Sequence, residues 1–365
     1  MPTVATAAVL QTQHGPYELL SVEIDDPRAG EVRVRIEACG VCFTDIEAME
    51  MLDAPCVLGH EGVGIVEAVG AEVDDIRPGQ RVLVSYPWCG QCTSCVDNRP
   101  YHCTEHLALA FAGSRPDGSS PIRLAGQPIG SAFFQQSSFA THAIAPARDV
   151  VPVDSHLSPA LLAALPCGMQ TGAGAMLNSL AVRPGESVLV FGVGAVGLAA
   201  VMGARLAGAV MIIAVDMQPN RLEAALAVGA THVLDAREGG VPDRVRAISR
   251  EGVQVAFDTS GRDVAIRQAI DLLATGGRVG LVTIPDWGQD YRLSLQPLFE
   301  RAGSLTCIIQ GSARPREFLP RLLESHAAGR FPIESIVTTY PFADINQAIA
   351  DIRSGTALKA VLVMP

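Results

Sequence analysis

The sequence predicts an α/β protein in which a β-rich domain is combined with a doubly wound parallel sheet. Residues 31–38 (EVRVRIEA) alternate apolar and charged side chains, which is typical of a strand with one buried face. From about residue 186 onward, apolar strands alternate with helical segments, and this order indicates a parallel sheet with helices on both faces. A glycine-rich turn joins the first strand and helix of that second part.

The first half of the chain contains further short strands separated by glycine and proline, and these predict a barrel-like β domain. Two of them are GVGIVEAVG (62–70) and QRVLVSY (80–86). Residues 107–140, rich in glycine, serine and proline, predict loops around a site. The chain ends in another strand, KAVLVM (359–364).

The parallel sheet is expected between about residues 169 and 309, and about 1–168 together with 310–365 should form the β-rich domain. The predicted strands of the parallel sheet are ESVLVFG (186–192), VMIIAVD (210–216), THVLD (231–235), VQVAFD (253–258) and RVGLVTI (278–284). Its predicted helices cover about 195–208, 219–229, 242–250 and 263–274.

Composition excludes several classes of function. The chain has 365 residues, enough for about two domains at roughly 150 residues each. A net charge of −11 and a pI near 5.2 disfavour binding along a phosphate backbone, so we expect no nucleic-acid partner. Residues 187–204 lack charge, but their four glycines fit a buried strand, turn and helix better than a membrane span. Without a basic segment before an apolar run at the N-terminus, we expect a soluble, cytoplasmic protein with no membrane partner.

Nine cysteines without an export signal predict metal thiolates rather than disulfides. Four of them follow C-x2-C-x2-C-x7-C, a spacing that suits a closed, structural zinc site in a lobe of about residues 86–106: Cys89, Cys92, Cys95 and Cys103. His102 and His106 are alternatives to the last cysteine, and an iron–sulfur cluster is an alternative to zinc. Three further cysteines are expected to be packed thiols without an assigned role: Cys39, Cys56 and Cys307.

The glycine-rich turn has the spacing G-x-G-x-x-G and predicts a dinucleotide site. Gly192 permits the tight turn, Gly194 lets the backbone approach a pyrophosphate, and Gly197 allows close packing of helix on strand. Asp216 ends the next strand, where a carboxylate bonds the adenosine ribose and repels a 2′-phosphate, so NAD is favoured over NADP. Arg221 either touches that ribose or is a solvated helix charge.

Cys42, His60 and Cys167 have no partner at motif spacing, and each alone is most simply a buried thiol or a hydrogen-bonded histidine. Their surroundings indicate more. Alongside the four-cysteine stretch and the glycine turn GVGAVG (192–197), three other stretches stand out: GVCFTD (40–45), GHEGVGIVEAVG (59–70) and LPCGMQTGAGA (165–175). In the order and spacing of these stretches, the chain resembles the zinc-dependent medium-chain alcohol dehydrogenases, and among them the aryl and benzyl alcohol dehydrogenases.

The resemblance implies a GroES-like catalytic domain, a Rossmann domain and a catalytic zinc held by Cys42, His60 and Cys167. That Cys₂His set leaves a fourth position open for substrate. Glu61 matches a carboxylate that approaches the metal transiently, and Asp45 one that orients the ligating histidine.

The reaction implied by the resemblance is reversible hydride transfer from a zinc-bound alkoxide to nicotinamide. Thr44 matches the hydroxyl that passes the alcohol proton outward. Glu47 stands where many members have the histidine that ends this relay, so either its pKa is raised enough for it to act as a base or water accepts the proton. The catalytic residues implied by the resemblance are Cys42, Thr44, Asp45, Glu47, His60, Glu61 and Cys167.

The resemblance also implies the NAD-binding residues. They are Thr171, Gly192, Val193, Gly194, Ala195, Val196, Gly197, Asp216, Arg221, Val282 and Lys359. Lys359 stands where the family has a basic pyrophosphate contact. Directly after Cys42, many members have an Arg or His that contacts the pyrophosphate, and here that residue is Phe43. We expect NADH to leave quickly because fewer charges hold its phosphates.

The substrate is predicted from GSAFFQQSSFATHAIAP (130–146), which resembles the corresponding stretch of aryl and benzyl alcohol dehydrogenases. Phe133, Phe134 and Trp88 could form apolar pocket walls, which favours aromatic or allylic primary alcohols. Glutathione-dependent formaldehyde dehydrogenase and general aliphatic alcohol dehydrogenase remain alternatives, although residues 46–55 offer no cationic anchor for glutathione. A non-catalytic dinucleotide-binding sensor is the alternative of another class. Members of the family imply a homodimer or homotetramer paired through the Rossmann sheet.

Overall fold

A computed structural model gives the structure of the protein and describes residues 3–283 and 291–365. Two compact units are present. The first comprises Met1–Cys167, Arg314–Arg321 and Ile336–Pro365, and the second comprises Gly168–Ala313 and Leu322–Ser335. Within the described residues, no helix combines the length and apolar character needed to cross a membrane.

Strands are numbered along the chain. They are β1 Thr3–Leu10, β2 Tyr17–Ile24, β3 Glu31–Gly40, β4 Cys56–Val57, β5 Gly62–Val69, β6 Arg81–Val84, β7 Ile122–Leu124, β8 Gln127–Pro128, β9 His142–Pro146, β10 Val150–Pro152, β11 Ser187–Phe191, β12 Met211–Asp216, β13 His232–Asp235, β14 Val253–Asp258, β15 Leu273–Leu281, β16 Ser304–Cys307, β17 Val337–Pro341 and β18 Lys359–Val363.

Helices are numbered in the same way. They are α1 Phe43–Met51, α2 Thr93–Val96, α3 His106–Phe111, α4 Pro159–Ala163, α5 Gln170–Gly174, α6 Ala195–Leu206, α7 Pro219–Val228, α8 Val241–Ile248, α9 Asp263–Asp271, α10 Gln296–Glu300, α11 Pro315–Ala327 and α12 Ile345–Ser354. Two π-helical stretches, Leu165–Met169 and Ala175–Ser179, flank α5.

The first unit is built on two sheets. One has the strand order β4-β1-β2-β7-β8, and the other has the order β10-β6-β5-β3-β18-β17, with β9 also paired to β3. The strand predicted at residues 31–38 is confirmed as β3, since Val32, Val34 and Ile36 are buried in the core of this unit. Residues 107–140 are not only loops, because α3, β7 and β8 contribute to them.

The second unit contains a parallel sheet of order β13-β12-β11-β14-β15-β16, which confirms the predicted doubly wound class. The order reverses between β11 and β14. At such a switch point, the carboxyl ends of the strands leave a crevice for a ligand. β15 begins at Leu273, earlier than predicted, and the predicted last residue of that strand, Ile284, lies outside the described residues.

The predicted boundary at residue 310 was wrong in one respect, because Leu322–Ser335 belongs to the second unit. The change of unit falls inside α11. Its first turn is fixed to the first unit by Arg316, whose guanidinium donates to the backbone oxygens of Val150 (3.0 Å) and Ala147 (2.7 Å). A boundary within a continuous helix has no composition signal in the sequence.

The remaining cysteines divide into two groups. Cys39 and Cys56 are buried in the first unit, as expected of packed thiols. Cys307 is exposed, contrary to expectation, because it ends β16, the last strand of the parallel sheet.

Candidate active site

In the first unit, the fold brings four predicted metal ligands together from distant positions. Cys42 lies at the N-cap of α1, His60 and Glu61 immediately precede β5, and Cys167 lies in a π-helical stretch. One potential ligand atom from each of the four residues lies within 4.8 Å of the others. Single π-helical turns are rare and occur frequently at functional sites.

Asp45 ties two of these ligand segments together. One of its carboxylate oxygens accepts from the Cys42 backbone N–H (2.8 Å), and the other lies 2.8 Å from His60 Nδ1 and accepts from the Gly59 N–H (3.2 Å). Asp45 is fully buried, so the interaction is shielded from water. With Nδ1 held by Asp45, the Nε2 atom of His60 faces Cys167 Sγ at 3.3 Å and is the atom available to a metal.

The charges at these ligands also suit metal binding. A hydrogen bond from the Cys167 thiol lowers the pKa of Cys42 well below its usual value, against the effect of burial. The same bond, together with burial, raises the pKa of Cys167. Burial disfavours the charged imidazole, but the Asp45 carboxylate outweighs it and raises the pKa of His60. One thiolate is therefore already favoured before a cation arrives, and a cation would displace the proton from the other.

Glu61 and Lys359 form a buried ion pair beside the ligands. Lys359 Nζ donates to the Glu61 carboxylate and to the Val41 carbonyl oxygen (3.2 Å). Burial acts to lower the pKa of Lys359, but Glu61 outweighs it and raises that pKa, so the amine stays charged. Gly40 makes room for this pair, because a Cβ at that position would lie 1.8 Å from Glu61 Oε2.

The predicted pyrophosphate contact of Lys359 remains a prediction, but the structure gives the amine a partner within the first unit. The side chain is only 1% exposed, and its charge is neutralised by Glu61. An amine in this position stabilises the segment that carries Glu61. The sequence position could not show this, because the pairing partner lies almost the whole chain away.

The predicted proton-relay residues lie on α1. Thr44 Oγ1 is 3.6 Å from Cys42 Sγ, so its hydroxyl is beside the metal-binding group. Glu47 is exposed, and partial desolvation together with the charges of Cys42 and Glu50 raises its pKa. Phe43 is 58% exposed and therefore presents an apolar surface at this position.

Aromatic side chains pack directly on the histidine ligand. The Phe134 ring stacks on the His60 ring with a centroid distance of 4.4 Å and an interplanar angle of 27°. Phe133 meets the same imidazole edge-on at 5.5 Å, and Phe111 packs against both phenylalanines. Both phenylalanines are buried in the core of the first unit, and their pocket role stays a prediction. Trp88 is half-buried at the start of the four-cysteine lobe, and its pocket role remains a prediction.

The sulfur atoms of the four-cysteine site are spaced as ligands of a single tetrahedral ion would be. Cys92 Sγ lies 3.4 Å and Cys89 Sγ 3.9 Å from Cys95 Sγ. At about 2.3 Å per zinc–sulfur bond, tetrahedral thiolates are separated by about 3.8 Å. All four sulfur atoms lie within 4.8 Å of one another, and all four cysteines are free of disulfides. A four-iron cluster would separate the sulfurs further, because each would bind a different iron.

The local backbone prepares these thiols for a metal. The Cys92 N–H donates to Cys89 Sγ (3.3 Å), and the Cys89 N–H donates to Cys103 Sγ (3.2 Å). Backbone hydrogen bonds, from Thr104 first, lower the pKa of Cys92 to about 6. The alternative histidine ligands are not part of the site: His102 is exposed, and His106 Nδ1 lies 3.1 Å from the Pro87 carbonyl oxygen.

In the second unit, the glycine turn follows β11 as predicted. Gly192 has φ +78°, a backbone conformation that favours glycine. Gly197 is required by packing, because a Cβ on it would lie 2.0 Å from the Gly192 oxygen. A Cβ on Gly194 would meet nothing within 4 Å. Gly194 therefore borders open space at the N-terminus of α6, where Ala195 and Val196 are half-buried and helix N–H groups can meet a phosphate.

Asp216 is positioned beside this turn. Its carboxylate accepts hydrogen bonds from the N–H groups of Val193 (2.8 Å), Met217 (2.7 Å) and Gln218 (2.9 Å). Arg221 Nη1 lies 3.7 Å from the same carboxylate, so its side chain is next to the predicted ribose site rather than solvated away from it. Val193 acts through its backbone on Asp216.

Two further residues, Thr171 and Val282, are predicted to contact the cofactor. Thr171 is buried on α5, with Oγ1 3.5 Å from Gln310 Oε1, and Val282 is half-buried just beyond β15. Their contacts with a cofactor remain predictions.

Sequence reasoning missed two buried polar residues beside the candidate metal ligands His60 and Cys167. Gln136 donates from Nε2 to the His60 oxygen (3.0 Å), and Ser85 donates from Oγ to the Pro166 oxygen (3.2 Å). Neither lies in a recognisable motif. A run of polar residues between apolar ones at 135–138 was the available signal.

Two family models match the chain. Residues 195–325 match the zinc-binding dehydrogenase model, and residues 28–155 match the alcohol dehydrogenase GroES-like domain. A geraniol dehydrogenase from Castellaniella defragrans is 41% identical over 363 residues, which cover 98% of this chain and 97% of that protein. Alcohol dehydrogenase class-3 of Myxine glutinosa is 33% identical over 367 residues, covering 98% of this chain and 96% of that protein.

Solved structures give the same picture. The crystal structure of benzyl alcohol dehydrogenase from Acinetobacter calcoaceticus superposes with a TM-score of 0.96 at 35% identity, over 100% of both chains. An alcohol dehydrogenase zinc-binding domain protein from Burkholderia ambifaria superposes with a TM-score of 0.98 at 41% identity, again over 100% of both chains.

Proposed function

Because the chain belongs to the zinc-binding alcohol dehydrogenase family, we propose that it oxidises aromatic or allylic primary alcohols to aldehydes, reversibly, with NAD and two zinc ions per chain. The observation that carries the substrate class is the stacking of Phe134 on His60 at 4.4 Å. Together with Phe133, this ring makes the surroundings of the histidine ligand aromatic and apolar, which supports a flat, conjugated group over a short alkyl chain. Similarity to a geraniol dehydrogenase and a benzyl alcohol dehydrogenase supports this choice.

The metal-site residues fit the proposed chemistry. Cys42, His60 and Cys167 form a Cys₂His set, which for zinc leaves a position open to substrate. When bound, zinc would lower the pKa of the alcohol and polarise the aldehyde, and NAD would accept the hydride. Asp45 holds the imidazole in one tautomer and orientation. We expect Thr44 to take the hydroxyl proton of the substrate and pass it outward, because its Oγ1 lies 3.6 Å from Cys42 Sγ.

The preference for NAD rests on Asp216. Its carboxylate is held by three backbone N–H groups, so it presents a fixed negative charge where the adenosine ribose binds in Rossmann folds. A 2′-phosphate at that place would be repelled. Arg221, 3.7 Å away, is partly neutralised by the same carboxylate and is a poor phosphate ligand while that pair persists.

We also propose a homodimer or homotetramer. Among the described strands, β16 pairs only with β15, and Ser304, Thr306 and Cys307 are exposed along it. A free parallel-sheet edge of this kind is a template for pairing with a second copy. Sedimentation equilibrium would measure the mass, and a monomer at micromolar concentration would contradict the proposal.

A substrate panel tests the function. Purified, zinc-loaded protein should form NADH from benzyl alcohol, cinnamyl alcohol and geraniol with kcat/KM at least about tenfold above that for ethanol, since each apolar contact distinguishes substrates by about 1–3 kcal/mol. NADP should be the poorer acceptor in the same assays. A preference for formaldehyde with glutathione would instead support that alternative, and tight NAD binding without turnover of any alcohol would support a sensor.

A further inference from the structure

Residues 132–137 form a loop with unusual backbone geometry beside the catalytic ligands. Ala132, Phe134, Gln135 and Ser137 have φ values of 57°, 49°, 54° and 53°, in the left-handed region that non-glycine residues rarely adopt. Such residues cost about 1–3 kcal/mol each and persist where surrounding contacts fix them, often at functional sites. The loop therefore has to be held by something specific.

Gln136 provides much of that fixation. The side chain is only 1% exposed. Its Nε2 donates to the backbone oxygens of His60 (3.0 Å) and Ser85 (3.1 Å), and its Oε1 accepts from the Gly62 N–H (3.1 Å) and the Ser138 hydroxyl (2.6 Å). The side-chain amide of Gln136 thus forms hydrogen bonds with the main chain on both sides of Glu61, at His60 and at Gly62.

The network continues to the third ligand through Ser85. Its hydroxyl donates to the carbonyl oxygen of Pro166 (3.2 Å), the residue directly before Cys167. Ser85 is fully buried, so these bonds form out of water and define position sharply. Through Gln136 and Ser85, the main chains that carry His60 and Cys167 are joined by hydrogen bonds.

We propose that Gln136 is a positioning residue of the catalytic metal site, acting on His60 directly and on Cys167 through Ser85. This rests on the proposed function, because it assumes that these two residues hold a catalytic metal. Gln136 does not offer a ligand atom itself. It fixes the distance between imidazole and thiol, and by shaping its loop it also keeps Phe134 stacked on the imidazole.

Gln135 is a matched control. It has the same side chain, lies directly before Gln136 in the same loop, and is likewise buried, with 5% exposed. Its Nε2 donates instead to the backbone oxygens of Leu109 and Ser114, both at 3.0 Å, and not to a metal-ligand segment. A role limited to holding the loop together predicts similar effects at both glutamines.

The test compares Gln136→Leu, Gln136→Glu and Gln135→Leu in fully zinc-loaded protein. We measure zinc release to a colorimetric chelator and the visible absorption of cobalt-substituted protein. In the Gln136 variants, one of the two zinc ions should leave about 10–100-fold faster, the range found for partners of metal ligands, and the cobalt–thiolate bands should shift. Gln135→Leu should keep wild-type release and spectrum, whatever its melting temperature.

Two results would overturn the proposal. One is wild-type metal release and cobalt bands in the Gln136 variants; the other is an equal change in Gln135→Leu. If Gln136→Leu does not fold, Gln136→Glu keeps the volume and the acceptor oxygen while removing the bonds that Nε2 donates, and Ser85→Ala removes only the link to Pro166. A wild-type protein that holds a single zinc would instead contradict the proposed function, so the two failures are distinguishable.

Discussion

The two cysteine-rich sites of the first unit use similar ligands but are built differently. In the four-cysteine site, all ligands lie between residues 89 and 103, and their own backbone N–H groups bond the sulfurs. In the proposed catalytic site, the ligands come from residues 42, 60 and 167 and depend on buried side chains elsewhere. A local site is defined by chain spacing, whereas a dispersed site is only as precise as the fold that supports it.

Ligand removal should give the largest contrast between the two sites. Cys167→Ser should lower kcat by more than about 100-fold, since even partners of metal ligands are worth 10–100-fold. Cys95→Ser should mainly lower stability, by at least about 5 °C in Tm, because a structural zinc contributes folding free energy to a lobe with little core of its own. Activity assays and thermal melts of both variants measure the split. Equal losses of kcat with equal shifts of Tm would remove the distinction.

Asp45→Asn tests whether the two sites depend on different supporting groups. The amide keeps the size of the side chain but loses the charge that orients and stabilises His60. We expect about 10–100-fold weaker zinc binding at the catalytic site, and no change at the four-cysteine site, where backbone N–H groups do the supporting. Competitive chelator titration resolves the two affinities. Weakening at both sites to the same extent would show a general loss of structure instead.

The same contrast explains what the sequence could predict. The spacing of Cys89 to Cys103 and the alternation in β3 are local, and both predictions agree with the structure. The catalytic ligands were recognised only by resemblance, because nothing in their spacing joins them. The pairing of Lys359 with Glu61 could not be predicted for the same reason, because it depends on tertiary contacts. Gln136 was missed because its loop has no periodicity and every main-chain partner of its side chain lies outside that loop.

Glu47→Gln should give the smallest effect. The pKa of Glu47 is raised, so the carboxylate is a better base than a free one, yet it is exposed and water can accept the proton in its place. If Glu47 ends the relay, wild-type kcat/KM falls as the pH drops through its raised pKa, and the variant loses that acidic limb with a rate reduction below about tenfold, less than a general base normally contributes.

Glu50→Gln is the control for this measurement, because Glu50 lies on the same exposed side of α1 and its charge helps to raise the pKa of Glu47. Removing that charge should move the acidic limb to lower pH without abolishing it. A Glu47→Gln profile that superimposes on the wild type, together with an unshifted limb in Glu50→Gln, would assign the proton to water. The proposed catalytic site would then need only Thr44 to carry the proton from substrate to solvent. Its ligands would depend on distant parts of the chain, but its proton path would depend on a single residue beside Cys42.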